Sequence, residues 1–476
     1  MKSKSSPFHL LATAIAVLLV LSLGFFFSMP FFAALQLWGV KYQGMLTESS
    51  VVLNVLDFGA HGDNQTDDTI ALRKALTLAT TLLANATTTV TILFPKKHTF
   101  PTGPLNLTSG ITLQIDGTLR ALNWKTTDWP IIPPLINYGT SEDARFTLQY
   151  QSFLYARNAQ NIRIIGNGTV DGGGPAWWDS FTNRDGQLTA GRPNLVQLVN
   201  CSNVEIASVT LKDSPFWCLH PTLCEQVHIH HIQIRSHMYA PNSDGIDPDS
   251  SKHVLIENND VSCGDDHIAI KAGLCGSQIL DCDKDENFRN GTYETLNITI
   301  RNNVFRTGMG IALGSECSGG IRNITIENNL VGVCQPGHCE VGCCGWSPGL
   351  HLKTTNTRGG HMENILFRNN TVYNTSSVIL VETDYQHHGG DNPTLIKNLT
   401  FQSNKGKGTA KGISFQCSPQ RPCEEISFRG NDFNPTKIGC KNVRVVDENG
   451  TNLCSDEMSD DDNGIVDDEI IYEKTD

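Results

Sequence analysis

The sequence predicts an all-β chain wound as a parallel β-helix, a solenoid with an N-terminal capping helix. Three observations predict it. Short apolar tetrads recur: NIRI (161–164), NVEI (203–206), QVHI (226–229), HVLI (253–256), NITI (297–300 and 323–326), NILF (364–367), NLTF (398–401) and EISF (425–428). Most neighbouring copies lie 23–27 or 41–44 residues apart, and self-similarity at such a period marks a solenoid. Each copy precedes a polar turn, often RNN or ENN. The repeat carries strand and turn patterns but no amphipathic helix, which separates it from leucine-rich repeats. One coil cannot bury its apolar face alone, whereas stacked coils bury a continuous core, and asparagines at equivalent turns can form ladders. A β-sandwich with chance similarity is the competing architecture.

The first element, residues 1–40, is a signal anchor or a signal peptide. Lys2 and Lys4 are followed by no Asp, Glu, Lys or Arg until Lys41, around the apolar run LLATAIAVLLVLSLGFFF. A secretory signal uses about 7–15 apolar residues and a membrane helix about 20, so both readings stand. The leading lysines keep the N-terminus cytoplasmic and place the body outside.

The stretch 54–84 opens with a strand and a Gly/Asp turn. Asp67 is then placed to cap a helix carrying Ile70, Leu72, Leu76 and Leu83. One helix ahead of a solenoid is expected to cover its open end. Residues 50–450 form the solenoid domain. The tail 455–476 holds ten acids and one lysine of a chain with net charge −13, so the body carries only −4. A nearly balanced body excludes nucleic acid as a partner. The tail lacks the twelfth-position glutamate of a calcium loop and reads as solvated.

Twelve N-x-[ST] triplets, from Asn64 to Asn449, agree with export. All fifteen cysteines lie between Cys201 and Cys454. In an oxidising compartment most are expected to be paired, and CQPGHCEVGCCGW (334–346) reads as a stapled loop rather than a zinc site.

The stretch 241–273 holds seven carboxylates: Asp244, Asp247, Asp249, Glu257, Asp260, Asp265 and Asp266. In a β-helix, residues one coil apart sit about 4.8 Å apart on adjacent strands. Asp244 and Asp266 are 22 residues apart, close to one coil. Asp265 and Asp266 cannot both face outward on a regular strand, and Gly264 permits the bend that brings both into one cleft. Such a cluster holds one carboxyl protonated beside ionised neighbours, the combination that glycoside hydrolysis needs. Ordinary turn chemistry explains the same residue types equally well.

At this point the residues resemble a family, the polygalacturonases of glycoside hydrolase family 28, and most closely its plant-type members. NVLDFGAHGDNQTDD is similar to the family's N-terminal cap, and GNGTVDGGGPAWW (166–178) and DSPFWCLHP (213–221) to its early coils. The specific motifs are NSDGIDPDSS (242–251) and CGDDHIAIKAG (263–273). The resemblance implies a right-handed parallel β-helix that hydrolyses α-1,4-galacturonide bonds of pectin with inversion, as a monomer without metal or cofactor. It implies Asp265 as general acid, Asp244 and Asp266 as the groups that activate water, and Asn242, His351 and Lys353 as substrate-binding residues. An inverting pair is expected to stand about 6.5–9.5 Å apart. The implied location is the cell wall or the outer face of a membrane.

Two positions depart from the family pattern. Met309 stands in TGMGIALGSE where the family has histidine, and methionine cannot exchange protons. His351 in GLHLKT replaces an arginine, losing bidentate carboxylate recognition while Lys353 keeps a cation. Substrate binding is then expected to strengthen as His351 protonates at mildly acid pH. The stretch 274–295 looks inserted, with Cys275 and Cys282 placed to close it and block one end of a groove. The alternatives are a non-catalytic pectin-binding protein, favoured by Met309 and His351, and a pectate-lyase-like enzyme, whose calcium and base pattern is not found.

Overall fold

The computed structural model describes residues 49–84, 88–143, 145–275, 284–333, 347–385, 390–407, 412–433 and 438–454. Among these, short parallel strands stack into sheets that run the length of the chain. The largest has thirteen strands, from Ser49–Asn54 to Val443–Val446. All nine apolar tetrads lie in it in register: Val204 beside Val227, then Val254, Ile298 and Ile324. A second sheet has ten strands. A third has four, and bridges at Ile246 and Asp249 carry it on into a six-stranded sheet. One coil visits each sheet once: Val196–Val199, Ser202–Ala207 and Thr210–Lys212, before Leu219–Thr222 opens the next. This is a parallel β-helix, and its parallel register excludes the sandwich. The N-terminal segment 1–48 and the tail 455–476 lie outside the described residues. No helix among the described residues is long and apolar enough to cross a membrane.

The doubled asparagines explain how the coils turn. The first of each pair, Asn258, Asn302, Asn328 and Asn369, has φ between 51° and 57°, a left-handed conformation that asparagine tolerates better than most residues. The second points inward. Asn259, Asn303, Asn329, Asn370 and Asn404 each donate from Nδ2 to the next Oδ1 at 2.9–3.1 Å, ending on Asn431. This buried ladder satisfies every amide it contains. A second, exposed ladder runs Asn398 to Asn364 to Asn323 to Asn297, each with φ of 54–59°. Three of the N-x-[ST] triplets therefore begin at left-handed asparagines within strands.

The helix expected near the N-terminus spans Thr69–Leu83 and buries Ala71, Leu72, Ala75, Leu76 and Ala79 in the core shared with the first strands. Two details refine the expectation. Asp68 holds the cap position but its carboxylate accepts from the His61 and Gly62 amides, while the Asp67 carboxylate accepts the Thr69 amide at 2.9 Å. Ile70 is exposed, because the buried stripe runs through alanines that hydropathy alone ranks low. The described cysteines divide. Cys417–Cys423 and Cys440–Cys454 are disulfides and Cys275 is bonded, while Cys201, Cys218, Cys224, Cys263 and Cys317 are buried free thiols. In the stacked core these five act as small apolar side chains. Cys282 and the loop 334–346 lie outside the described residues.

Candidate active site

The site forms on the outward face of the third sheet, where neighbouring coils place their pre-strand turns side by side. The Cys218 amide donates to the Asp244 carbonyl, Gly245 to Asp266, and His267 to Gly310. Those bonds stack Trp217, Asp244, Asp266 and Met309 as successive rungs. Asp265 and Asp266 sit just before the strand Ile268–Ile270, in a bend rather than on a strand. Gly264 permits that bend: a Cβ there would stand 2.3 Å from the Ala240 carbonyl oxygen. The predicted convergence is present. One carboxylate oxygen from each of Asp244, Asp265 and Asp266 lies within 4.8 Å of the others. That is tighter than the spacing expected of an inverting pair.

Burial sets the protonation of this cluster. Asp244 is buried, and burial, opposed by Lys271 and reinforced by Asp266, pushes its carboxyl up to about 6. Asp265 is half-buried in the folded surface, and desolvation followed by repulsion from Asp244 and Asp266 raises it well above the ordinary carboxylate range. Asp247 lies behind them, fully buried, and is raised in the same way by burial and by Asp244. The arrangement therefore holds protonated acids against a carboxylate that ionises in the neutral range.

Two lysines supply the opposing charge. Lys353 Nζ is 3.0 Å from Asp266 Oδ2 and 5.1 Å from the centre of the Tyr385 ring. Lys271 escaped the sequence reading. It is buried, with Nζ 3.0 Å from Glu316 and 3.8 Å from both Asp244 and Asp247, and it sits over the Trp217 ring at 4.2 Å. Burial alone would raise Glu316, but Lys271 and Arg358 outweigh it and bring that carboxyl down to about 2. The only sequence signal for Lys271 was an outward strand position one coil after Asp249. With two ammonium groups this near, the trio has counter-charge from the protein's own side chains.

The other predicted residues divide. Asn242 has φ of 52°, and its Oδ1 accepts from Arg192 Nη2 at 2.8 Å. Arg192, fully buried, also bonds Asp143 and the Pro241 carbonyl, so it sets the approach to the trio. His351 does not present a free ring: its Nε2 is 2.6 Å from Glu382 Oε1, and Tyr385 stands edge-on to it. Glu382 thus takes the ring nitrogen that a substrate carboxylate would need. Met309 is half-buried one rung beyond Asp266, held by its backbone to Asp265 and Ser347. Asp249 is structural, bonded to His220, Ser250 and the Gly273 amide.

The family model described as glycosyl hydrolases family 28 matches residues 84–454. The chain belongs to glycosyl hydrolase family 28. A probable polygalacturonase of Vitis vinifera is 31% identical over 340 residues, covering 70% of this chain and 63% of the grape protein. The chain thus spans less than two thirds of that relative's length. A probable polygalacturonase of Arabidopsis thaliana is 26% identical over 421 residues, covering 85% of this chain and 83% of its own. Among solved structures, an exopolygalacturonase of Thermotoga maritima aligns with a TM-score of 0.70 and 25% identity, over 84% of this chain and 92% of that one. The aspartate trio lies well inside the matched family 28 region.

Proposed function

We propose that this family 28 chain hydrolyses α-1,4-galacturonide bonds of pectic polysaccharide outside the cell, acting as a monomer reached through the secretory pathway. The observation that carries the reading is the trio itself: a protonated Asp265 beside Asp244 and Asp266, with Lys353 at the same point. In this mechanism Asp265 donates its proton to the leaving glycosidic oxygen. Asp244 and Asp266 orient a water and take its proton as it attacks the anomeric carbon. Lys353 attracts the uronate carboxylate, and Asn242, fixed by Arg192, offers its amide N–H groups to sugar hydroxyls.

Polygalacturonate is the test substrate. New reducing ends without an unsaturated product are expected, and the first-formed anomer is expected to be inverted. An unsaturated product would replace this reading with elimination; binding without cleavage would replace it with the pectin-binding alternative.

The pH profile provides a second check. Activity needs Asp244 ionised and Asp265 protonated. kcat/KM is expected to rise with pH through an apparent value near 6, then fall as Asp265 loses its proton. These limbs belong to the coupled cluster rather than to single residues. A profile flat through pH 6 would remove Asp244 from proton transfer.

A further inference from the structure

Among the described residues, the outward face of the catalytic sheet is open on one side of the trio and covered on the other. One column of outward positions shows it: Val199, Thr222, Asp249 and Lys271, then Lys353, Glu382, Gln416 and Lys441, paired strand by strand on each side. Thr222 and Asp249 are 0% exposed and Lys271 4%. Lys353, Glu382 and Gln416 are half-buried, and Lys441 is exposed. The neighbouring outward positions on the covered side, His220 and Asp247, are also 0% exposed.

The cover is the segment around residues 135–151. Asn137 Nδ2 reaches Ser250 Oγ at 2.9 Å and Thr222 Oγ1 at 3.4 Å. Tyr138 packs with Leu135, Val199, Phe216 and Trp217 in a separate apolar cluster. Glu142 accepts from Gln197 and Asn194 and stands 3.0 Å from His220 Nδ1, whose other nitrogen is 3.2 Å from Asp249. Burial would lower the His220 pKa, but Glu142 and Asp249 outweigh it and raise it to about 9, so the strap is ionically locked at neutral pH. The described part of the insertion supports this strap from behind: Leu274 donates to the Asn137 carbonyl at 2.8 Å. Trp217, at the strap's edge, is one coil from Asp244, about 4.8 Å by strand spacing.

We propose that this strap stops a polysaccharide from running past the trio, so that the enzyme attacks chain ends and releases one short product, a mono- or disaccharide. The proposal rests on the hydrolase reading above and adds its mode of attack. A polymer can lie along the open side, over Lys353, Glu382 and Gln416, while its end abuts the strap.

The test sizes products from polygalacturonate against time. One short product from the earliest points is expected, with viscosity nearly constant while reducing ends accumulate. A ladder of oligomers from the start would overturn the proposal and leave the hydrolase reading standing; no reducing ends at all would overturn both. The double variant Asn137→Ala, Tyr138→Ala is expected to add longer products. A folded double variant that still released only the short product would overturn the role given to the strap.

Discussion

Asp265→Asn is expected to lower kcat on polygalacturonate by about 10²–10⁴-fold, the range for a lost general acid, with folding unchanged. The substitution removes the proton but keeps shape. The Asp265 Oδ1 atom accepts the Asp266 amide at 2.8 Å, and an asparagine oxygen can accept it equally. Asp265 is also the least enclosed of the three carboxyls, so little packing is at stake. Loss of protonation assistance has a signature that loss of structure lacks. A galacturonide with a strongly acidic leaving group needs no proton, and on such a substrate the variant is expected to recover most of its rate. Equal losses on both substrates would assign Asp265 to positioning instead.

Lys271→Met is expected to destabilise the protein by about 3–5 kcal/mol, the usual cost of removing one partner from a buried ion cluster. Its ammonium is the charge nearest to Glu316, Asp244 and Asp247 together. Without it, Glu316 would be left as a largely enclosed anion with only Arg358 to offset it, and Asp244 would lose the cation that restrains its pKa most. Urea unfolding checks this, through the midpoint at constant slope. The double variant Lys271→Met, Glu316→Gln is expected to recover part of the loss, since the orphaned charge is gone. A Lys271→Met midpoint equal to wild type would mean that the cluster is already neutral, with the protons distributed differently from the arrangement described above. In the active fraction, the acid limb of the pH profile is expected to move upward, because Asp244 would hold its proton more tightly.

Much of the fold was legible because a solenoid converts linear spacing into neighbourhood. The tetrads all fell in one sheet, and the doubled asparagines became a turn residue and a ladder residue. The pairing of Asp244 with Asp266 followed from the same period. Asp265 joined them through Gly264, whose need was readable from the outward–inward alternation of strands. What failed did so where no period applies. Ile70 belongs to the apolar helix pattern but faces solvent, since alanines filled the stripe against the first strands. Which thiols meet was not readable, because composition reports compartment while the coil register decides the pairing. The covering segment, residues 135–143 and 145–151, carries no repeat or motif to mark it, and residues 276–283 of the expected insertion lie outside the described residues.

The sequence by itself determined the coil, the stack and the meeting of three aspartates, because each depends on a regular advance of about 4.8 Å per coil. Tertiary structure alone decided what surrounds them. Lys271 finds Glu316 45 residues away, His351 is taken up by Glu382, and the strap settles over His220 and Asp249. Two of these contacts join irregular loops to the sheet face and one crosses neighbouring strands, and their stability comes from burying mutually compensating charges. Such compensation exists only once the folded chain has excluded water from both partners.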